Sequence, residues 1–192
     1  MKQKFLHQPC MRGLVAAVAG MFSIALLQAG PFSQNAELQG IEFKVTSPNA
    51  KTGNTVTVTP KGLSGASKPI QTEIRGTVTS VEVGDLNADG APEIYIYIAA
   101  PNRGELLAFG SNKNKSISFI SLPDLKEEST KSSEYRGGDE FAVLENALGR
   151  RFPLFSKDPA ETKPTGKTRQ IQYKLVAGES SWHLKQDQVV DF

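Results

Sequence analysis

Apolar and polar residues alternate with a period of two along most of the chain, in short runs separated by turn residues. That is the pattern of half-buried strands, not helices. Ile41, Phe43 and Val45 alternate with polar neighbours. After breaks at Ser47-Pro48-Asn49 and Thr52-Gly53-Asn54 the alternation continues through Val56 and Val58 to Pro60. Residues 60–69, rich in Gly, Ser, Lys and Pro, predict a loop. A β pattern resumes at Ile70 and leads through Ile74, Val78, Val81 and Val83 to Glu93-Ile-Tyr-Ile-Tyr-Ile-Ala-Ala100, a run apolar enough for the middle of a sheet.

Beyond the turn signal Pro101-Asn102-Arg103-Gly104, short strands are predicted at Leu106–Phe109 and Ile117–Leu122. The charged stretch Asp124–Ser133 has room for one or two helical turns capped by Asp124. Phe141 and Val143 face Leu148–Phe155 across Asn146-Ala147 as a hairpin; a helix over the same residues is opposed by Gly149 and Pro153. Ile171, Tyr173 and Leu175, then Gly178-Glu179, then Trp182 and Leu184 predict a last hairpin. The expectation is an all-β, antiparallel β-sandwich or barrel-like single domain of about eight to ten short strands over 41–192, behind a linker at 30–40.

The first 29 residues differ. Lys2, Lys4 and Arg12 precede an uncharged run from Gly13 to Leu27, and small residues follow at Ala29 and Gly30. Basic start, apolar run and small-residue end are the order of a secretory signal, and the run falls short of the roughly twenty residues that span a bilayer. Export to the periplasm or beyond is expected, with cleavage after Ala29. Cys10, the one cysteine of the chain, and His7 would leave with the leader, so the mature chain keeps a single histidine, His183. Three of the 22 basic residues leave and all 20 acidic ones stay, giving a formal charge of −1. This balance excludes a basic nucleic-acid arm, and one Cys excludes a disulfide framework and a thiolate zinc cluster.

Little catalytic chemistry remains. A Ser/His/Asp triad would have to be built on His183 alone, inside an apparent strand. Arg150-Arg151 reads as a strand pair with one Arg solvated and one buried in an ion pair. The sharpest local motif is Asp85-Leu-Asn-Ala-Asp-Gly-Ala-Pro-Glu93. Oxygen side chains at positions one, three and five with Gly at six wrap calcium in compact loops, so Asp85, Asn87, Asp89 and Glu93 form a candidate metal site. The competing reading is a turn in which Asp and Asn accept backbone N–H groups. Calcium is the only cofactor considered, and otherwise none is expected.

Several segments, in order and spread through nearly all of the mature chain, resemble bacterial periplasmic inhibitors of i-type (invertebrate-type) lysozyme. They are Asn54–Leu63, Glu73–Thr79, Asp85–Tyr97, Tyr135–Glu145, Leu148–Phe155 and Arg169–Leu184. The resemblance implies a small, mainly antiparallel, non-enzymatic β protein whose partner is lysozyme and whose protruding loop enters the substrate cleft. In that family the loop resembles Ser-Gly-x-Tyr. Here Asn102 and Arg103 stand where Ser and Tyr are expected, followed by Gly104 and Glu105. The expected target-binding loop is therefore Asn102, Arg103, Gly104 and Glu105, with Arg103 offered to a cleft carboxylate. Ser132 and Tyr135 repeat the Ser-to-Tyr spacing and form the alternative loop. Two other functions stay open at this point: a binding module of the same fold with another target, and a calcium-stabilised envelope protein.

Overall fold

The computed structural model describes residues 30–65, 67–101, 103–125, 134–158, 160–179 and 181–192. The expected leader (1–29), Asn102, Ser132 and most of the helical stretch after Asp124 lie outside them. The described chain forms twelve strands and no helix: β1 (Phe32–Leu38), β2 (Ile41–Ser47), β3 (Asn54–Lys61), β4 (Ile70–Ile74), β5 (Thr77–Gly84), β6 (Glu93–Ala99), β7 (Gly104–Asn112), β8 (Ser116–Ser121), β9 (Glu140–Leu144), β10 (Ala147–Phe155), β11 (Pro164–Ala177) and β12 (Trp182–Asp191).

The all-β expectation holds, and the sandwich and barrel alternatives are both realised. A four-stranded sheet, β1-β2-β3-β4, lies against one wall of an eight-stranded, nearly closed sheet ordered β5-β6-β7-β8-β12-β11-β10-β9. Two cores result. Phe43, Val45, Val56 and Val58 of the small sheet meet Val78, Val81, Ile94, Ile96, Ile98 and Phe109 on the wall. Inside the barrel Tyr95, Tyr97, Leu148, Phe152, Ile171, Tyr173 and Leu184 meet one another. Strand side chains alternate between faces, so β6 sends Ile94, Ile96 and Ile98 to one core and Tyr95 and Tyr97 to the other. It is a wall common to both.

The barrel's seam falls between β5 and β9. It is bridged by a side chain: the Glu82 carboxylate accepts from the Val143 N–H at 2.6 Å and from the Tyr97 hydroxyl at 2.5 Å. Burial and Glu82 together push the Tyr97 pKa well upward, keeping its hydroxyl a donor.

The breaks expected at Ser47–Asn49 and Thr52–Asn54 do separate β2 from β3, where Asn49 and Gly53 take positive φ (47° and 63°) and reverse the chain. Three sequence expectations need correction. Residues 32–38 are not a linker; they pair along their length with β2. The sheet is not wholly antiparallel, since Trp182 and His183 of β12 pair in parallel with Ile120 and Ser121 of β8. The strand count also rises because the chain changes sheet between β4 and β5. At that crossing Gly76 has φ +123°, and a Cβ there would lie 2.1 Å from the Ala99 carbonyl oxygen.

Candidate functional site

Of the two loops proposed as alternatives in the sequence, the described residues Arg103, Gly104, Glu105 and Tyr135 line one groove. Between β6 and β7 the Ala100 N–H donates to the Arg103 carbonyl at 3.0 Å. Gly104 opens β7 opposite Ala99. Beneath it sits Asp139, whose side chain is wholly buried. The Asp139 carboxylate accepts from the Gly104 N–H at 3.1 Å, the Tyr135 hydroxyl at 2.6 Å and the Arg150 Nε at 2.7 Å. Arg150 Nη2 also reaches the Tyr135 hydroxyl at 3.3 Å. A Cβ on residue 104 would stand 2.6 Å from the Asp139 carbonyl oxygen, so Gly104 is required by close approach.

This cluster is electrostatically closed. Burial opposes the charge on Arg150, but the Asp139 carboxylate outweighs it and the guanidinium pKa is raised. The Tyr135 hydroxyl is pushed up to about 12, by burial first and by Asp139 second. Its ring packs edge-on against Phe152 at 4.8 Å between centroids. Tyr135 is therefore a strut. Its hydroxyl is committed to Asp139 and is not offered outward as the alternative loop required.

Arg103 behaves differently. Its side chain is 59% exposed, and its Nε meets Glu105 Oε1 at 3.2 Å in a surface ion pair. An exposed pair of this kind is worth about 0–1 kcal/mol, so an incoming carboxylate can replace Glu105 at small cost. Arg103 and Glu105 border two grooves. One, about 490 Å³, is lined by Arg103, Glu105, Phe119, Leu122, Tyr135 and Arg150. The other, about 780 Å³, lies toward the small sheet and is lined by Lys51, Asn54, Arg75, Pro101, Arg103 and Glu105. Arg150-Arg151 follows the sequence reading in part: Arg150 is buried on Asp139, while Arg151 is half-buried and stacks over Phe192 at 5.6 Å.

The Asp85 loop forms a turn whose carboxylates accept backbone N–H groups. Asp85 Oδ1 accepts from the Asp89 N–H at 3.0 Å and its Oδ2 from the Gly90 N–H at 2.9 Å and from Gln39 Nε2 at 2.8 Å. Asp89 Oδ1 accepts from the Ala91 N–H and its Oδ2 from Asn87 Nδ2. Glu93, 1% exposed, turns inward and accepts from the Leu86 N–H at 2.9 Å and the Tyr95 hydroxyl at 3.3 Å. Burial is the main force lifting its pKa to about 7; Asp85 and Asp89 add to it, while the Leu86 N–H and Tyr95 oppose. Among the described residues Asn87 Oδ1 is the one buried side-chain polar atom without a hydrogen-bond partner. Among the described residues no group of three or more His, Cys, Asp or Glu is placed to hold a metal ion.

No motif in the sequence assigns a role to Asp139 or Glu82. The available signal for Asp139 was a buried-strand Arg at 150 that needed an anion. For Glu82 it was a carboxylate inside an apolar strand. Neither signal names the partner. No family model, curated protein or solved structure matches this chain.

Proposed function

We propose that the chain is an exported, non-enzymatic inhibitor of lysozyme, i-type by the resemblance of its segments, that blocks the substrate cleft with the β6–β7 turn. The observation that most supports this reading is Arg103: an exposed guanidinium on a short turn whose following residue is clamped to a buried carboxylate. Glycoside hydrolases carry two carboxylates in the cleft. A guanidinium meets a carboxylate through two parallel hydrogen bonds. A turn already held in one shape loses little conformational freedom on docking, so a small contact can bind tightly.

The reading assigns each residue a part. Arg103 engages a cleft carboxylate in place of Glu105. Gly104, Asp139, Tyr135 and Arg150 hold the turn and do not touch the target. The test is a cell-wall turbidity assay with i-, c- and g-type lysozymes and the purified mature chain. Inhibition of the i-type enzyme is expected, with Arg103→Ala weakening it about thirtyfold at unchanged melting temperature, the loss typical of a central Arg contact. Clearance of cell walls at the uninhibited rate with all three lysozymes would end the proposal. An Arg103→Ala chain as potent as wild type would end the role of the turn.

A further inference from the structure

Three turns meet at the end of the molecule that carries Arg103. The β2–β3 turn bears Lys51, the β4–β5 crossing bears Arg75, and the β6–β7 turn bears Arg103; all three side chains border the 780 Å³ groove. Lys51 and Arg75 are exposed, and neither has an ion-pair partner among the described residues. Glu105 is the one acidic residue lining the groove, against three cations.

The turns are fixed relative to one another. Asn54, buried, donates from Nδ2 to the Gly76 carbonyl at 2.6 Å and accepts from Ser47 Oγ at 3.0 Å. Asn49 donates to the Val78 carbonyl at 3.0 Å and accepts from the Val78 N–H at 2.9 Å, tying the β2–β3 turn to β5. Gly76 in turn rests on the Ala99 carbonyl just before the β6–β7 turn. The cations are therefore mounted on one rigid rim. In a chain whose formal net charge is +2, or −1 once the expected leader leaves, that is a local excess of positive charge, and it lies beside the blocking turn.

We infer that this groove is a second contact surface, taking an acidic stretch of the target protein beside its cleft, with Lys51 and Arg75 steering the approach that Arg103 completes. The inference rests on the inhibitor reading and adds the chemistry of the partner. Opposite charges facing across an interface raise the association rate more than they lengthen residence, and salt screens the effect.

The experiment measures association and dissociation rates of the mature chain with an i-type lysozyme it inhibits, at several salt concentrations. The pair Lys51→Glu and Arg75→Glu is compared with Lys51→Gln and Arg75→Gln; both residues are exposed, and melting temperature checks the fold. The reversed pair is expected to associate on the order of tenfold more slowly at low salt. The neutral pair should fall between, dissociation should change less, and the difference should shrink at high salt. Equal association rates for wild-type and reversed chains, with inhibition intact, overturn the surface and leave the function standing. Absence of inhibition by the wild-type chain overturns both. Salt-sensitive retention of wild type on a sulfated polysaccharide, lost on reversal while lysozyme association is unchanged, would reassign the rim to an anionic glycan.

Discussion

At one end of β6 stand Asp85, Asp89 and Glu93; at the other, Lys51, Arg75 and Arg103. The first group is the sharper sequence motif, yet its oxygens are turned onto the backbone of their own loop and into the barrel. The second group has no motif at all, since its members come from three turns far apart in sequence, and it faces outward. Charge that is internally bonded holds a fold, whereas charge left exposed on a rigid rim can act on another molecule. Asp139, buried like Glu93, lies beneath the turn that carries Arg103. It converts internal bonding into a fixed outward shape.

The comparison is most severely tested at Asp139. Asp139→Ala leaves Arg150 charged and buried without its partner, a loss of about 3–5 kcal/mol, measurable by urea unfolding. A loss below about 1 kcal/mol would mean that the turn is held by something other than this carboxylate. The next test is Glu93. Its folded pKa near 7 exceeds the ordinary 4.5, so the folded state binds the extra proton between those values. Glu93 therefore costs stability progressively as pH rises from about 4.5 to 7 and by a constant amount above. Relative to wild type, Glu93→Gln should be near neutral at pH 5 and more stable at pH 8 by up to about 3 kcal/mol. A pH-independent difference in melting temperature would contradict the assignment.

Smaller effects sharpen the picture of the Asp85 loop as a strained, self-bonded turn. Ala88 takes φ +55°, a left-handed conformation that costs a non-glycine residue about 1 kcal/mol. Ala88→Gly should raise stability by up to about that amount, less the added freedom of Gly in the unfolded chain. Millimolar calcium should leave the melting temperature where it is, since a ligand raises it only by binding the folded state. A calcium-dependent rise would show that the loop's carboxylates exchange their N–H partners for the ion.

How much of this was readable beforehand follows from the range of each interaction. The strands of both cores were legible because burial on one face imposes period two, and Gly and Asn mark the reversals at 53, 54 and 178. The hairpins β9–β10 and β11–β12 were legible because their partners are neighbours in sequence. β1 was not: Phe32–Leu38 buries its side chains only in part and is fixed by pairing with β2. The change of sheet at Gly76 was hidden too, because alternation says which face a residue takes but not which sheet it joins. At the candidate site Arg103 and Gly104 could be named from a turn signal. The clamp beneath them joins Gly104 to a carboxylate 35 residues away, and no local pattern encodes that distance. The Asp85 loop shows the converse: its residue types suit an ion and a turn, and the sequence does not give the direction of each oxygen.

β6 belongs to both cores, with alternate residues in each. Peeling away the small sheet would bare Ile94, Ile96 and Ile98 to water, and opening the barrel would bare Tyr95 and Tyr97. Neither half can therefore melt by itself. Denaturation should proceed as one cooperative event, with the amide hydrogens of this strand exchanging only when the entire molecule opens. A protein without a half-open state gives a protease no partly loosened substrate, and its lifetime among degradative enzymes is governed by the rarity of complete unfolding.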